Sequence, residues 1–353
     1  MRVCIIGGGL AGSMLAWRLT RATSHWQIDL VHGQQWPADA TAVSGGAVRT
    51  YETHAEQRRL AILSMLELLG SRTLREWSGY QPGSSAYLRP ASAGLDAELA
   101  EIEQLLPGSC HLADPTELAR QGWAEVPEQA VAVVERHAGH VSPAQLRASV
   151  LADEAMRRRV CVRTGTVTSI TASGGHVMCE VNGERQTYDQ VVIATGAWTS
   201  ALLASCGFVA TGYRTKSIQY SLYPIKDWCP PQFVDEFTGL FGRPAEPGSL
   251  LLGVPTDQWG VDPDRPPTTV HLHDHAAQLA RIRFPALELG PASKQVGSAD
   301  CYADQPVLSL RQVSGTDHGL FTFSGGAGGS VKTVLAASQR AAIQLVESDP
   351  SLN

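Results

Sequence analysis

The chain has 353 residues, enough for two domains or one large one, and it is 43% hydrophobic and 18% charged, the composition of an ordinary soluble globular protein. Its formal net charge of −6 argues against nucleic acid or an anionic membrane as partner, because both select a basic face. No apolar run approaches the roughly 20 residues needed to cross a bilayer. Met1-Arg2 leads straight into Val3-Cys4-Ile5-Ile6 and then into a motif, which is read as leaving no room for a signal peptide. The seven cysteines (Cys4, Cys110, Cys161, Cys179, Cys206, Cys229 and Cys301) are odd in number and form no CxxC. That pattern fits reduced thiols in a cytoplasm better than a disulfide framework or a zinc site.

In chain order, residues 2–6 read as a buried strand, 10–22 as a helix and 27–32 as the next strand. This βαβ unit implies a parallel sheet. Leu60, Leu63, Leu66 and Leu69 predict a helix within 54–77. Residues 80–139 are mixed, broken by prolines. Ser142 is placed to cap a helix that has Pro143 at its first position. Short strands follow at 160–164, 166–170, 177–181 and 189–194, then a proline- and aromatic-rich stretch over 211–299. A strand at 319–324 runs into Gly325-Gly326-Ala327-Gly328-Gly329, and a helix closes the chain over about 331–347. Tyr220 and Tyr223 lie on an alternating strand at 217–224 and point to opposite faces, so only one can face a substrate cavity; Tyr220 is the catalytic candidate. His271, His273 and His275 would share one face of a strand, as a metal site requires. Asp274, however, reads as the cap of a helix over 276–282, which breaks the alignment, and no metal is expected.

Gly7, Gly9 and Gly12 form GxGxxG between the first strand and the first helix, the context that the motif needs. The first glycine permits the tight turn, the second a close approach of backbone to a pyrophosphate, the third close packing of helix on strand. The helix N-terminus, with Leu10 and Ala11, offers unpaired N–H groups and a positive dipole end to the phosphates. Twenty residues on, where an acidic side chain commonly holds the adenosine ribose, stands His32. A neutral imidazole keeps one hydrogen bond to a hydroxyl but loses the charge-assisted one. No arginine sits beside His32, so NADP is not indicated; Asp29 lies nearby on the same strand.

Three further segments choose between the dinucleotides: residues 42–49 (AVSGGAVR), 137–146 (HAGHVSPAQL) and 188–199 (YDQVVIATGAWT). Together with the glycine-rich turn at 325–332 they resemble the D-amino acid oxidase, glycine oxidase and sarcosine oxidase family of FAD enzymes. Ser330 stands where that turn carries a glycine. The resemblance spans nearly the whole chain and is strongest at 2–50, 137–205 and 319–345. It implies FAD as cofactor and an α/β fold. A Rossmann-like FAD domain with a parallel sheet would comprise 1–80, 140–210 and 300–353. A second, α+β substrate domain with an antiparallel sheet would comprise 81–139 and 211–299.

The resemblance also implies roles. Gly7, Gly9 and Gly12 would cradle the pyrophosphate; Ser44 and Gly45 would bond from the flavin side. Val167 would hold the adenine edge, and Thr195 and Gly196 would pass the ADP part. Gly326, Ala327, Gly328, Gly329, Ser330, Val331 and Lys332 would form a turn that stabilises negative charge on reduced flavin. Lys332 would add to that stabilisation or bind a substrate carboxylate; its other reading is a solvated helix lysine. Arg49 would lie against the isoalloxazine, or else pair with Glu52. Cys301 falls near a cysteine that some members bond to the flavin, or is an ordinary buried thiol. In this family a hydride passes from the carbon beside an amine nitrogen to flavin N5, the imine hydrolyses, and oxygen or another acceptor takes the electrons.

Two departures bear on the substrate. Glu52 stands where related enzymes often place a second arginine for the substrate carboxylate. Residues 252–262 lack the lysine with which sarcosine oxidase-like members activate oxygen. The implied partner is therefore a small amine or amino acid, with oxygen or another electron acceptor. The alternatives are a flavin-dependent monooxygenase, or a degenerate FAD-binding subunit without catalysis.

Overall fold

The computed structural model describes residues 1–33, 39–210, 212–245, 248–316, 319–326 and 328–349. The chain opens with β1 (Arg2–Ile6), α1 (Leu10–Ala22) and β2 (Gln27–His32). β1 and β2 are near-continuously buried, the pattern of parallel strands covered on both faces. They lie side by side in parallel, as the βαβ reading requires. Next come α2 (Ala40–Val43), β3 (Ala47–Val48), α3 (Ala55–Gly70) and α4 (Arg72–Ser78). The single helix expected over 54–77 is thus two. Ser71 is extended and its hydroxyl accepts from Leu74 N, which ends one helix and caps the next.

The mixed segment folds as β4 (Gln81–Pro90), α5 (Leu95–Leu105), β5 (Cys110–Ala113), α6 (Pro115–Arg120) and β6 (Ala130–His140). Ser142 caps α7 (Pro143–Ala152) as the sequence indicates, its hydroxyl accepting from Gln145 N. α8 (Glu154–Arg159), β7 (Val160–Thr164), β8 (Val167–Ser173), β9 (His176–Val181), β10 (Glu184–Tyr188), β11 (Gln190–Ile193) and α9 (Thr199–Ser205) follow. The proline-rich stretch supplies β12 (Tyr213–Lys226), β13 (Gln232–Asp235), β14 (Phe241–Pro244), β15 (Ser249–Gly253), α10 (Val270–Arg283) and β16 (Glu288–Leu289). Asp274 does not cap a helix: α10 starts four residues earlier with Thr269 as its cap, so all three histidines are helical. The chain closes with β17 (Lys294–Ala303), β18 (Ser309–Gln312), β19 (Leu320–Ser324) and α11 (Val334–Glu347).

Two large sheets position the site. The first has the order β18-β19-β11-β1-β2-β7, parallel except for β18. α1 and α11 bury Met14, Leu15, Leu19, Ala341 and Leu345 on it. The second runs β16-β12-β15-β14-β13-β4-β6-β3, with β17 added on β12, and is antiparallel except where β13 meets β4. Its register sorts side chains by face, because neighbours directly opposite share a side. Leu250, Leu252, Phe233 and Tyr223 point into a core with α10 and Phe284. The alternate set carries Lys216, Tyr220, Phe241, Arg243, Leu251 and Asp300 to the opposite side, since Lys216 faces Asp300 and Arg243 faces Leu251. A third, smaller sheet is formed by β8, β9 and β10.

Candidate active site

That opposite face and the carboxyl ends of the parallel strands enclose one cavity of about 1270 Å³. Its position, outside the ends of β1, β2 and β11, is where open parallel sheets bind ligands. Gly7, Gly9, Leu10, Ala11, His32, Ser44, Gly45, Arg49, Val167, Thr195, Gly196, Tyr220, Cys301, Gly328, Gly329, Ser330, Val331 and Lys332 all line it. Residues far apart in sequence, at 7–11 and 328–332, therefore line one cavity. Gly12 and Gly326 stand behind this surface. Gly12 packs against Gly7 O, and Gly326 O accepts from Ala303 N. Ala327 lies outside the described residues.

The turn before α1 is shaped by contact with β11. Gly7 has φ +123°, and a Cβ there would lie 2.3 Å from Ala194 O. Gly9 has no side chain to cap α1, and a Cβ on it would meet only Thr41 Oγ1, at 3.4 Å. The helix end is thus open to the cavity, with Leu10 N held by Thr41 Oγ1 at 3.0 Å. Unpaired N–H groups at a helix N-terminus suit a pyrophosphate, so the chain fits a dinucleotide here. His32 has both ring nitrogens engaged, Nδ1 with Gly33 O at 3.0 Å and Nε2 with Thr164 Oγ1 at 3.2 Å. One nitrogen donates and the other accepts in the neutral ring. Asp29 is no substitute for a ribose-binding acid: it is buried and accepts from Tyr188 Oη at 2.7 Å.

Arg49, Glu52 and Lys332 form a buried charge cluster. Arg49 Nη2 is 2.8 Å from Glu52 Oε1, and the Lys332 ammonium bonds the same carboxylate oxygen. Both bland alternatives are thereby decided. Arg49 does pair with Glu52, and Lys332 is not a solvated helix lysine but a buried group in a short turn. Burial alone would raise the Glu52 pKa, but Arg49 and then Lys332 overturn it and hold the carboxyl below the usual range. Burial, followed by Arg49, pulls Lys332 below the ordinary lysine range against the pull of Glu52. The segment is fixed from behind by Glu135, which is fully buried and accepts from Thr50 N at 2.8 Å, Tyr51 N at 3.0 Å and Ser85 Oγ at 3.0 Å. The Arg49 guanidinium lies 5.1 Å from the Tyr87 ring centre. Ser330, in place of the family's glycine, folds its hydroxyl back to Gly325 O at 3.3 Å and so fits the turn.

Tyr220 reaches the cavity, but its hydroxyl donates to Val43 O at 2.8 Å, which makes it a brace for the loop that carries Ser44 and Gly45. Cys301 is buried, and burial, then Asp300, push its thiol up to about 12. A neutral thiol is a poor nucleophile, so the geometry supports the ordinary buried reading.

Arg243 and Asp300 are among the charged groups in the cavity wall that sequence reasoning missed. Nothing local marks them, because the register of β12, β14, β15 and β17 brings them to this face. Burial raises the Asp300 carboxyl to about 6. The folded chain therefore holds this proton more tightly than the unfolded chain does, and stability falls as pH rises from about 4 to 6. Asp300→Asn is expected to stabilise the apoprotein by about 1–2 kcal/mol at pH 7.5 and by nothing at pH 4. Urea unfolding at the two pH values reads this; an equal effect at both would show that burial of charge is not the cause.

An α/β protein with an open helix N-terminus and glycine turns around one cavity is built to bind a dinucleotide. The chain belongs to the FAD dependent oxidoreductase (DAO) family, whose model matches residues 2–342, and FAD is its cofactor. Among solved structures it is similar to L-proline dehydrogenase from P. horikoshii, with a TM-score of 0.79 at 14% identity, covering 99% of this chain and 94% of that one. It is also similar to glycine oxidase from Geobacillus kaustophilus, with a TM-score of 0.77 at 18% identity over 99% and 96% of the two chains. Iminodiacetate oxidase from Chelativorans sp. BNC1 gives a TM-score of 0.75 at 19% identity over 99% and 96%. Identities this low carry the fold alone. No curated protein sequence matches the chain. No helix among the described residues is long and apolar enough to cross a membrane.

Proposed function

We propose that this protein oxidises the C–N bond of a small amine or amino acid. The observation that carries this reading is the buried Arg49–Glu52–Lys332 cluster, in which Arg49 and Lys332 line the same cavity as the glycine turn. Bound FAD supplies a two-electron acceptor that takes a hydride from the carbon next to nitrogen. The chain's own part is to orient that C–H bond, exclude water and place positive charge where negative charge grows. Gly7, Gly9, Leu10 and Ala11 would hold the pyrophosphate, Val167 the adenine edge, Thr195 and Gly196 the ADP part, and Ser44, Gly45 and residues 328–332 the flavin half. The cluster has a net positive charge, two cations to one carboxylate, which favours the reduced flavin. Residues 1–80, 140–210 and 300–353 form the FAD-binding part, and the remainder the substrate part. Oxygen or another acceptor receives the electrons.

Lys332→Met and Arg49→Ala are each expected to slow reduction of the flavin by about 10²-fold or more, the scale of one preorganised electrostatic group. Rapid mixing of substrate with the oxidised enzyme measures this, and a wild-type rate in either variant removes that residue from the reaction. The reaction itself is tested by product analysis over a panel of amines and amino acids. The expected result is an aldehyde or keto acid formed in equal amount to the acceptor reduced. Acceptor reduction without any carbonyl product would overturn the proposed chemistry.

A further inference from the structure

Behind the turn that carries Lys332 lies a second, much smaller void of about 20 Å³. Val331 and Lys332 line both this void and the large cavity, so the turn is their shared wall. The rest of the lining is core: Met65, Leu68, Leu74, Val141 and Leu335 all face it, and each is at most 6% exposed. A void of this size holds one molecule as small as water. The polar side chains at its edge already have partners. Ser64 Oγ accepts from Ala336 N at 3.0 Å, Ser78 Oγ donates to Arg75 O at 3.3 Å, and the Lys332 ammonium bonds Glu52. Buried water keeps roughly two to four hydrogen bonds, whereas apolar voids stay dry and take up apolar molecules such as xenon.

The occupant that suits this space is small, apolar and free of any need for a hydrogen bond on arrival. Dioxygen meets those terms, and it gains from a neighbouring cation once it takes on negative charge. We infer that this void is a binding site for dioxygen, held against the far side of the Val331–Lys332 wall, and that dioxygen is the electron acceptor. The inference rests on the proposed function, which sets the flavin beside this turn. Reduced flavin gives up two electrons and two protons in all; dioxygen takes them and leaves as hydrogen peroxide, and the flavin returns to its oxidised form. The chain's part is to keep the gas next to the cavity. The Arg49–Glu52–Lys332 cluster, with two cations to one carboxylate, favours the anion that dioxygen becomes.

Crystals of the holoenzyme are pressurised with xenon, an apolar probe for such a space. One xenon atom is expected among Met65, Leu68, Val141 and Leu335. Val141→Ile adds a methyl group to the void and should exclude it. Val48→Ile, which fills the same void from β3, decides if Val141→Ile does not fold or still admits xenon. The flavin of each holoenzyme is then reduced with dithionite and mixed with oxygen. No amine enters this measurement, so C–N oxidation and the oxygen site can fail separately. The wild type is expected to reoxidise faster than free reduced FAD. The filled variant should be slower than wild type by about 10-fold or more, the effect of losing a held position for one reactant. Reoxidation by ferricyanide, which is too large for the void, should be the same in both. A void that takes no xenon in the wild type overturns the inference, as does a filled variant that keeps the wild-type rate with oxygen. Equal slowing with oxygen and ferricyanide also overturns it, because that marks a general disturbance of the flavin. So does a wild type no faster than free reduced FAD.

Discussion

Glu52→Gln is expected to destabilise the apoprotein by about 3–5 kcal/mol, the cost of leaving buried charge without its partner. Glu52 is the only carboxylate paired with Arg49 or with Lys332 among the described residues, and all three groups are at most about one-tenth exposed. Removing it sets two buried cations side by side. Removing Lys332 leaves a neutral Arg49–Glu52 pair, and removing Arg49 leaves a neutral Lys332–Glu52 pair, so those variants lose less stability. The redox consequence has the opposite sign. Without Glu52 the cluster carries one more positive charge, so the reduced flavin is favoured and the midpoint potential rises. A variant that unfolds more readily in urea yet has a raised potential is the expected pair of results. An unchanged unfolding midpoint would mean that the three groups are not coupled as the geometry indicates.

The second large effect separates two glycines three residues apart. A Cβ on Gly12 would sit 2.0 Å from Gly7 O, a backbone atom that cannot swing aside. Gly12→Ala is therefore expected to cost more than about 3 kcal/mol, because overpacking against main chain forces α1 off β1. Gly9 has ordinary backbone angles, and a Cβ there meets only a hydroxyl at 3.4 Å. Gly9→Ala should leave unfolding of the apoprotein unchanged and still weaken FAD binding by about 100-fold, since the methyl occupies the space that the pyrophosphate needs. Thermal unfolding of the apoproteins, with FAD titration of those that fold, separates the two roles. Equal FAD affinity in Gly9→Ala and wild type would take the pyrophosphate away from this turn.

These two glycines also mark what the sequence makes legible. A strand–turn–helix is local: its glycines, its buried strand and its helix face follow within twenty residues, and β1, α1 and β2 fall at the expected bounds. Capping is equally local, so Ser142 before Pro143 could be read directly. Asp274 shows the limit, because an aspartate can cap a helix or sit inside its early turns, and only the packing of α10 on the sheet decides. The glycine-rich part of the cavity lining was legible because its residues come in motifs. Arg243 and Asp300 were not. They stand in strands with no motif of their own, and pairing across β17, β12, β15 and β14 brings them to one face. Glu52 lay between these cases. Its identity was visible as a departure, but its joint hold on Arg49 and Lys332 depends on a contact spanning 280 positions.

The most direct measurement is an anaerobic one on the purified yellow protein. Amines and amino acids are added one at a time while the flavin absorption is followed. At least one is expected to bleach the oxidised bands fully and at a stoichiometry of one substrate per flavin. A protein that carries FAD but is reduced by no amine or amino acid would contradict C–N oxidation as its function.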